Sequence, residues 1–352
     1  MKECLRVRKI TFCEALNEAL VEEMERDPSV FIYGIGVPDH KKIFGSTNHL
    51  LEKFGPDRCL DTPISEDAMT GVGLGAAING LRPIHVHIRV DFLLLAMNQL
   101  ANMASSCRYG FGGRRGAPLV IRAIVGRGWG QGFQHSKSMH AVMAHIPGLK
   151  VVLPTTPRDA KGLLIAAIRD DDPVLFFEHR WLYWQEAEVP EGSFVEPLGK
   201  GRILRKGSDL TIVATSWMNV EAVHAASILE RRGVSIEIVD PRCLVPLDQA
   251  IIVESVKKTG RCLVADNDWV YCGFSAEVAA LVSDACFGML KGPVKRIGFA
   301  QTPCPTVRHL ENAFYPNAET IVRTIERMLD LPEMDLSGER FFSHENRFKG
   351  PF

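Results

Sequence analysis

The stretch DTPISEDAMTGVGLGAAINGLRPIHVHIRVDF, residues 61–92, decides the fold. Its middle is a run of small residues, Gly71, Gly73, Gly75, Ala76, Ala77 and Gly80, and 84–90 after it alternates β-branched Ile84, Val86, Ile88 and Val90 with His85, His87 and Arg89. Gly71, Gly73 and Ala76 fit the G-x-G-x-x-A dinucleotide fingerprint. That fingerprint needs a strand feeding directly into the glycine turn, and here the glycines lie seven or more residues after Pro63 and Ile64 with no strand immediately before them. Close packing of a helix on its neighbours explains the small residues better, so no nicotinamide site is expected.

Outward from this stretch, strand-like and helix-like segments alternate along the whole chain, the pattern of parallel sheets covered by helices. The fold class is α/β. Strands are expected at Val30–Tyr33, 84–90, 119–125, 151–153 and 174–178, and again at 210–215, 235–239, 262–265 and 294–297. Thr11 and Glu14 make a capping box for a helix whose apolar stripe is Ala15, Leu16, Ala19, Leu20 and Met24. Thr156 and Pro157 open another helix, 158–169, with proline where no donor is needed. Further helices are expected at 219–231, 247–257, 275–285 and 318–329.

Periodicity fails over 186–206, where Pro190, Gly192, Pro197, Gly199 and Gly201 cluster. The reading is a first domain at 1–190, a linker at 191–205, a second domain at 206–331 and a tail at 332–352. A chain of 352 residues exceeds what one core usually serves. The tail carries Phe341, Phe342, Phe348 and Phe352, more aromatic than a solvated tail needs, and reads as docking on a partner.

Composition narrows the function. The 41 basic and 42 acidic residues leave a formal charge of −1, which gives no electrostatic reason for nucleic acid or an anionic membrane. No apolar run reaches the roughly 18 residues of a membrane span. The nine cysteines have no C-x-x-C spacing and residues 1–10 lack an apolar signal core, so a reducing cytoplasm is the expected compartment.

No P-loop occurs. His85 and His87 share one face of a strand, and His135, His140 and His145 are spaced by five, neither being the i, i+4 spacing of a helical zinc motif. Gly126, Gly128, Gly130 and Gly132 precede Gln134-His135-Ser136, either as a surface loop or as a mobile one presenting His135 to a pocket. Asp170, Asp171 and Asp172 read as a solvated helix end.

Four stretches, taken in order, carry a resemblance. They are Asp61-Thr62-Pro63-Ile64-Ser65-Glu66 with the small-residue run to Gly80-Leu81-Arg82-Pro83; Asp91-Phe92-Leu93; Gln134-His135-Ser136; and His145-Ile146-Pro147-Gly148-Leu149-Lys150-Val151-Val152 with Pro154 and Asp159-Ala160-Lys161-Gly162-Leu163. Together they resemble the beta subunits of thiamin-diphosphate-dependent 2-oxoacid dehydrogenases, of the pyruvate, branched-chain and acetoin types. The similarity runs from about Thr11 to Leu329. The first domain looks like the transketolase pyrimidine-binding domain and the second like the transketolase carboxy-terminal domain.

The resemblance implies roles. Thiamin diphosphate becomes a nucleophile when a carboxyl group on its pyrimidine nitrogen favours the imino tautomer. Glu66 holds that motif position, and partial desolvation between Ile64 and Ala68 would let it share the proton; Asp67 is the rival. A glutamate starting a helix would otherwise serve only the helix dipole. Ile64 and Phe92 match residues at the aminopyrimidine, where an apolar wall suits a flat ring. His135 matches the histidine that assists acyl transfer to a lipoyl arm. A potassium site is implied around Leu119, Ala167, Ile168, Asp170 and Asp172.

Partners follow from an absence. Enzymes that hold the whole cofactor carry a G-D-G segment ending in paired asparagines for magnesium and the diphosphate, and this sequence has no G-D-G. The resemblance implies an alpha subunit that supplies it, an α2β2 heterotetramer, and a lipoylated dihydrolipoyl acyltransferase as acceptor. The chain departs from the pattern twice. Ile35 stands where a glutamate of the acidic network linking paired sites is usual, and His87-Ile88-Arg89-Val90 replaces a Glu-Ile-Met-Phe-like segment. Arg89 hints at an anionic substrate, with a salt bridge as the plainer explanation. Two alternatives stand beside the main reading: the carboxy-terminal half of a split transketolase, and a diverged assembly subunit without turnover.

Overall fold

The computed structural model describes residues 6–126 and 130–341. The chain forms two compact units, Met1–Gly126 with Val142–Leu198, and Arg127–Ala141 with Gly199–Phe352.

The strands of the first unit are β1 (Val7–Thr11), β2 (Val30–Tyr33), β3 (Cys59–Leu60), β4 (Arg82–His87), β5 (Val120–Val125), β6 (Lys150–Val152), β7 (Val174–His179) and β8 (Glu186–Pro190). β6, β7, β5, β4, β2 and β3 lie side by side in that order, every neighbouring pair parallel. Every residue of β5 and β7 is buried, as expected for central strands covered on both faces. β1 and β8 make a separate antiparallel pair, Val7 opposite Pro190 through Thr11 opposite Glu186. Val7–Thr11 is therefore a strand, which the sequence reading left unassigned.

Helix Phe12–Arg26 carries the expected capping box, and Ala15, Leu16, Ala19, Leu20 and Met24 are buried. Helix Pro157–Arg169 lies alongside it, and the two are tied by charge. Fully buried Lys161 reaches Glu18 at 3.0 Å and Glu22 at 2.7 Å, and Arg169 reaches Glu23 at 2.6 Å. Helix Glu66–Ile78 connects β3 to β4. The dinucleotide-like glycines fall inside this helix, and Gly73 shows why they are small. A Cβ there would sit 1.9 Å from Tyr33 Oη.

In the second unit the strands are β9 (Arg202–Arg205), β10 (Leu210–Ala214), β11 (Ile236–Asp240), β12 (Cys243–Val245), β13 (Cys262–Trp269) and β14 (Lys295–Phe299). The sheet runs β14, β13, β10, β11, β9, parallel except for the antiparallel edge strand β9. Helices Trp217–Glu230 and Ala318–Met328 bury Ala222, Ala226, Ile321 and Ile325 in its core.

Boundaries differ from expectation in several places, among them β4, which spans Arg82–His87 where 84–90 is expected. β9 lies inside the expected 191–205 linker, and the division falls at Leu198 and Gly199. β13 continues four residues past the expected 265, and the buried Asp266 and Asp268 in that extension find partners within the fold. In the tail, Leu336 is buried and Met334 and Phe341 pack on the unit's own core, with Phe341 5.8 Å from the His224 ring. Phe342, Phe348 and Phe352 lie outside the described residues.

Candidate active site

Parallel sheets place their loops for binding at the carboxyl ends of the strands. At that end of the adjacent strands β2, β3 and β4, a cavity of about 350 Å³ is lined by Ile35, Thr62, Ile64, Glu66, Met69, His85, His87, Arg89, Phe92 and Leu95, among others. Ile64, Glu66 and Phe92 thus line one cavity. Glu66 is the first residue of its helix and half-buried, so its carboxylate faces the positive helix end. Phe92 is half-buried, while Ile64 is 83% exposed at the rim. Apolar walls with a single carboxyl group fit a flat heteroaromatic ring that offers a nitrogen.

Beneath this wall lies a polar layer the sequence did not reveal. Thr70 Oγ1 and His87 Nε2 lie 3.2 and 3.1 Å from His85 Nδ1, the donor in each contact being set by the histidine tautomers. Tyr33 stacks on His85 with centroids 4.4 Å apart and planes 8° off parallel, and its hydroxyl donates to the Met69 carbonyl at 3.0 Å. Burial pushes His87 down to about 4, and burial followed by the His87 charge pushes His85 well below the usual imidazole range. Both rings are neutral at pH 7. The only hint in the sequence was their shared strand face.

His135 belongs to the second unit. It is half-buried, directly after the short turn Gly132–Gln134, and its N–H donates to the Gly132 carbonyl at 3.3 Å. Gly132 has φ +66°, and a Cβ there would meet Thr306 Oγ1 at 2.7 Å. Downstream, Tyr315 Oη donates to the Ser136 carbonyl at 3.2 Å. Ser138 Oγ lies 2.9 Å from His140 Nδ1, and His140 Nε2 lies 3.0 Å from Asp266 Oδ1. Asp266 in turn accepts from Thr215 Oγ1 and from the Ser275 N–H, both at 3.0 Å. Phe133, Ser136, Lys137, Trp269, Thr302 and Cys304 line a neighbouring cavity of about 360 Å³. The spacing of the histidines gave no sign of this anchor, because Asp266 is 126 residues away.

The residues of the implied potassium site gather at the carboxyl end of helix Pro157–Arg169. Arg82 Nη1 donates to the carbonyls of Ile168 and Asp170 at 3.0 and 2.9 Å, and Lys150 Nζ donates to both Asp170 carboxylate oxygens at 2.7 Å. The Ala167 carbonyl accepts from the Asp170 N–H at 3.3 Å and that of Leu119 from the Val174 N–H at 3.0 Å. Asp172 pairs with Arg108, and Asp171 with Arg82 at 2.5 Å. Asp170 and Asp172 are thus held in ion pairs, while Asp171 stays 68% exposed as a solvated helix end would.

A second buried charge pair sits on the central strands. Arg122 Nε and Nη2 donate to the two Glu178 carboxylate oxygens at 2.5 and 2.8 Å, both side chains fully buried, and the Tyr183 hydroxyl also donates to Glu178. Burial opposes the arginine charge, yet the carboxylate raises Arg122 above the ordinary guanidinium range. One charged residue in each of two otherwise apolar strands was the signal for this pair.

Comparison with known proteins agrees with this geometry. Residues 8–185 match the family model "Transketolase, pyrimidine binding domain" and residues 199–321 match "Transketolase, C-terminal domain". The chain is 42% identical over 332 residues to the beta subunit of acetoin:2,6-dichlorophenolindophenol oxidoreductase of Cupriavidus necator, covering 92% of this chain and 98% of that one. It is 42% identical to the mitochondrial pyruvate dehydrogenase E1 component subunit beta-1 of Oryza sativa subsp. japonica, covering 91% and 87%. Against the 2-oxoisovalerate dehydrogenase subunit beta of Bacillus subtilis the identity is 39%, covering 91% and 99%. A solved split-gene transketolase, an inactive β4 tetramer, superposes with a TM-score of 0.73 at 25% identity, covering 92% and 99%. With both domains matched and relatives aligned over nearly their full length, the chain belongs to the family of 2-oxoacid dehydrogenase beta subunits, built from transketolase pyrimidine-binding and carboxy-terminal domains.

Proposed function

We propose that this chain supplies the pyrimidine half of a thiamin diphosphate site and turns over only beside an alpha subunit. The enzyme oxidatively decarboxylates a 2-oxoacid, or cleaves a related acyloin, and passes the acyl group to the lipoyl arm of a dihydrolipoyl acyltransferase. The observation that carries the reading is the single cavity in which the half-buried Glu66 carboxyl faces the apolar side chains of Ile64, Met69 and Phe92. When bound, the cofactor supplies the carbon nucleophile that adds to the oxo carbon and takes up the electron pair released with carbon dioxide. Glu66 holds a proton at the pyrimidine nitrogen, and Phe92 and Ile64 keep water from the ring faces. His135 donates or accepts a proton during acyl transfer.

The partner is supported by exposed apolar side chains at and near the cavity. Ile64 and Leu95 line its rim at 83% and 61% exposure, and Val72, Leu94 and Met103 are also exposed, as surfaces awaiting another subunit are. Magnesium and the diphosphate belong to the alpha subunit in this reading, since the sequence has no G-D-G. A potassium ion at Leu119, Ala167, Ile168, Asp170 and Asp172 would use the second lone pairs of carbonyls that already accept one hydrogen bond each. Among the described residues no helix is long and apolar enough to cross a membrane, and eight cysteines are free thiols, which supports a cytoplasmic site of action.

A split transketolase is disfavoured, because the dehydrogenase and oxidoreductase beta subunits named above stand at 39–42% identity against 25% for that structure. The test is to copurify the chain with an alpha-type subunit and follow a panel of 2-oxoacids with lipoylated domain as acceptor. Decarboxylation with acylation of the lipoyl group, the acylation lost in His135→Ala, is expected. Ketol transfer between sugar phosphates instead would establish the transketolase reading.

A further inference from the structure

Arg89 is the unusual member of the cofactor cavity. It lines the same space as Glu66 and Phe92, its Nη1 donates to the Ile88 carbonyl at 2.7 Å, and its Nε is buried with no hydrogen-bond partner among the described residues. A second arginine accompanies it. The guanidinium carbons of Arg89 and Arg180 lie 5.7 and 4.6 Å from the centre of the same Phe44 ring, and Arg180 is only 2% exposed.

Two cations held against one ring in a largely buried place repel each other. Burial, then the Arg89 charge, lowers Arg180 to about 9, and burial lowers Arg89 although the nearby Asp91 charge opposes this. The ring itself is presented from a strained turn, in which Lys42, Ile43 and Phe44 all take left-handed φ of 47–57°. Such strain, costing about 1–3 kcal/mol per residue, is retained where surrounding structure and function demand it. Ile35 and Arg89 both line this cavity, whose only carboxylate-bearing lining residue among the described residues is Glu66.

We propose that Arg89 forms a carboxylate subsite in this cavity, with Arg180 on the Phe44 ring behind it adding positive charge from outside the lining, so that the substrate is a 2-oxoacid bearing a second, non-reacting carboxylate. The inference rests on the decarboxylating-dehydrogenase reading and names its substrate class. A fixed cation on the carboxylate that leaves as carbon dioxide would stabilise the ground state more than the transition state, so the guanidinium serves an anion that survives the reaction. With Asp91 offsetting one of the two positive charges, a singly charged carboxylate matches better than a doubly charged phosphate.

The experiment compares kcat/KM for 2-oxoglutarate and 2-oxobutyrate in the copurified alpha and beta subunits with thiamin diphosphate and magnesium. Wild type is expected to prefer 2-oxoglutarate. Arg89→Met is expected to cut the ratio of the two on the order of 100-fold, mostly through KM, with Arg89→Lys recovering part of it. Should Arg89→Met fail to fold, competition on the wild type decides: glutarate is expected to inhibit competitively and well below the concentration at which butyrate does. A wild type that prefers 2-oxobutyrate, an unchanged ratio in Arg89→Met, or equal inhibition by the two acids overturns the subsite while leaving the dehydrogenase reading intact. Turnover of neither oxoacid, nor of pyruvate, branched-chain 2-oxoacids or acetoin, sinks both.

Discussion

His140 Nε2 lies 3.0 Å from Asp266 Oδ1, with both side chains fully buried, and this contact anchors the segment that carries His135. Burial alone would lower the imidazole, but the Asp266 and Asp268 charges outweigh it and raise His140 above its ordinary 6.5. A raised histidine stabilises the fold fully below its unfolded value, and that contribution is lost as pH rises through the folded value. Stability of the second unit is therefore expected to fall as pH rises above about 6.5. Asp268, raised chiefly by burial, penalises ionisation in the same direction. Removing one partner of such a pair costs about 3–5 kcal/mol. Urea melts of Asp266→Asn from pH 5.5 to 9 are expected to show a lower midpoint and a flatter pH dependence. A pH slope unchanged in the mutant contradicts a charged pair.

The Arg122 and Glu178 pair makes a similar demand on the first unit. Glu178→Gln keeps the shape but leaves a buried guanidinium without its counter-charge and removes a strong acceptor from Tyr183. The expected loss is about 3–5 kcal/mol, read as a lower denaturant midpoint. A change below about 1 kcal/mol means the arginine charge is balanced elsewhere.

Gly73 is expected to reject even one methyl group. The added Cβ would lie 1.9 Å from Tyr33 Oη and 2.9 Å from Cζ, and Tyr33 is held between its Met69 hydrogen bond and the His85 ring. Gly73→Ala should cost about 1–3 kcal/mol and weaken cofactor binding by shifting His85 in the cavity. If the variant binds the cofactor as wild type does, the tyrosine has room to move and the glycine is not a packing requirement.

These cases mark what the sequence makes legible. Period and end signals located most strands and helices, because Leu16, Leu20 and Met24, or the run 120–125, bury the face that their spacing predicts. The shared cavity of Glu66, Ile64 and Phe92 is set by a local stretch, since all three sit within 30 residues of one another. Contacts set by chain topology were not. Nothing in the spacing of His140 and Asp266, or of Arg89 and Arg180, announces that elements far apart in sequence bring the first pair into contact and the second onto one Phe44 ring. Likewise β1 was overlooked because its partner β8 lies at the far end of the unit.

The central claim is that this chain holds only part of the cofactor site and that Glu66 is its acid–base group. The most direct measurement is calorimetric titration of thiamin diphosphate, with magnesium, into the chain alone, the alpha and beta pair, and the pair carrying Glu66→Ala. Binding is expected only in the pair. Glu66 is half-buried at a helix start, so its removal should change stability by about 0.5 kcal/mol or less yet lower decarboxylation about 100-fold or more. Tight binding by the chain alone, or a pair whose turnover survives Glu66→Ala, contradicts the account.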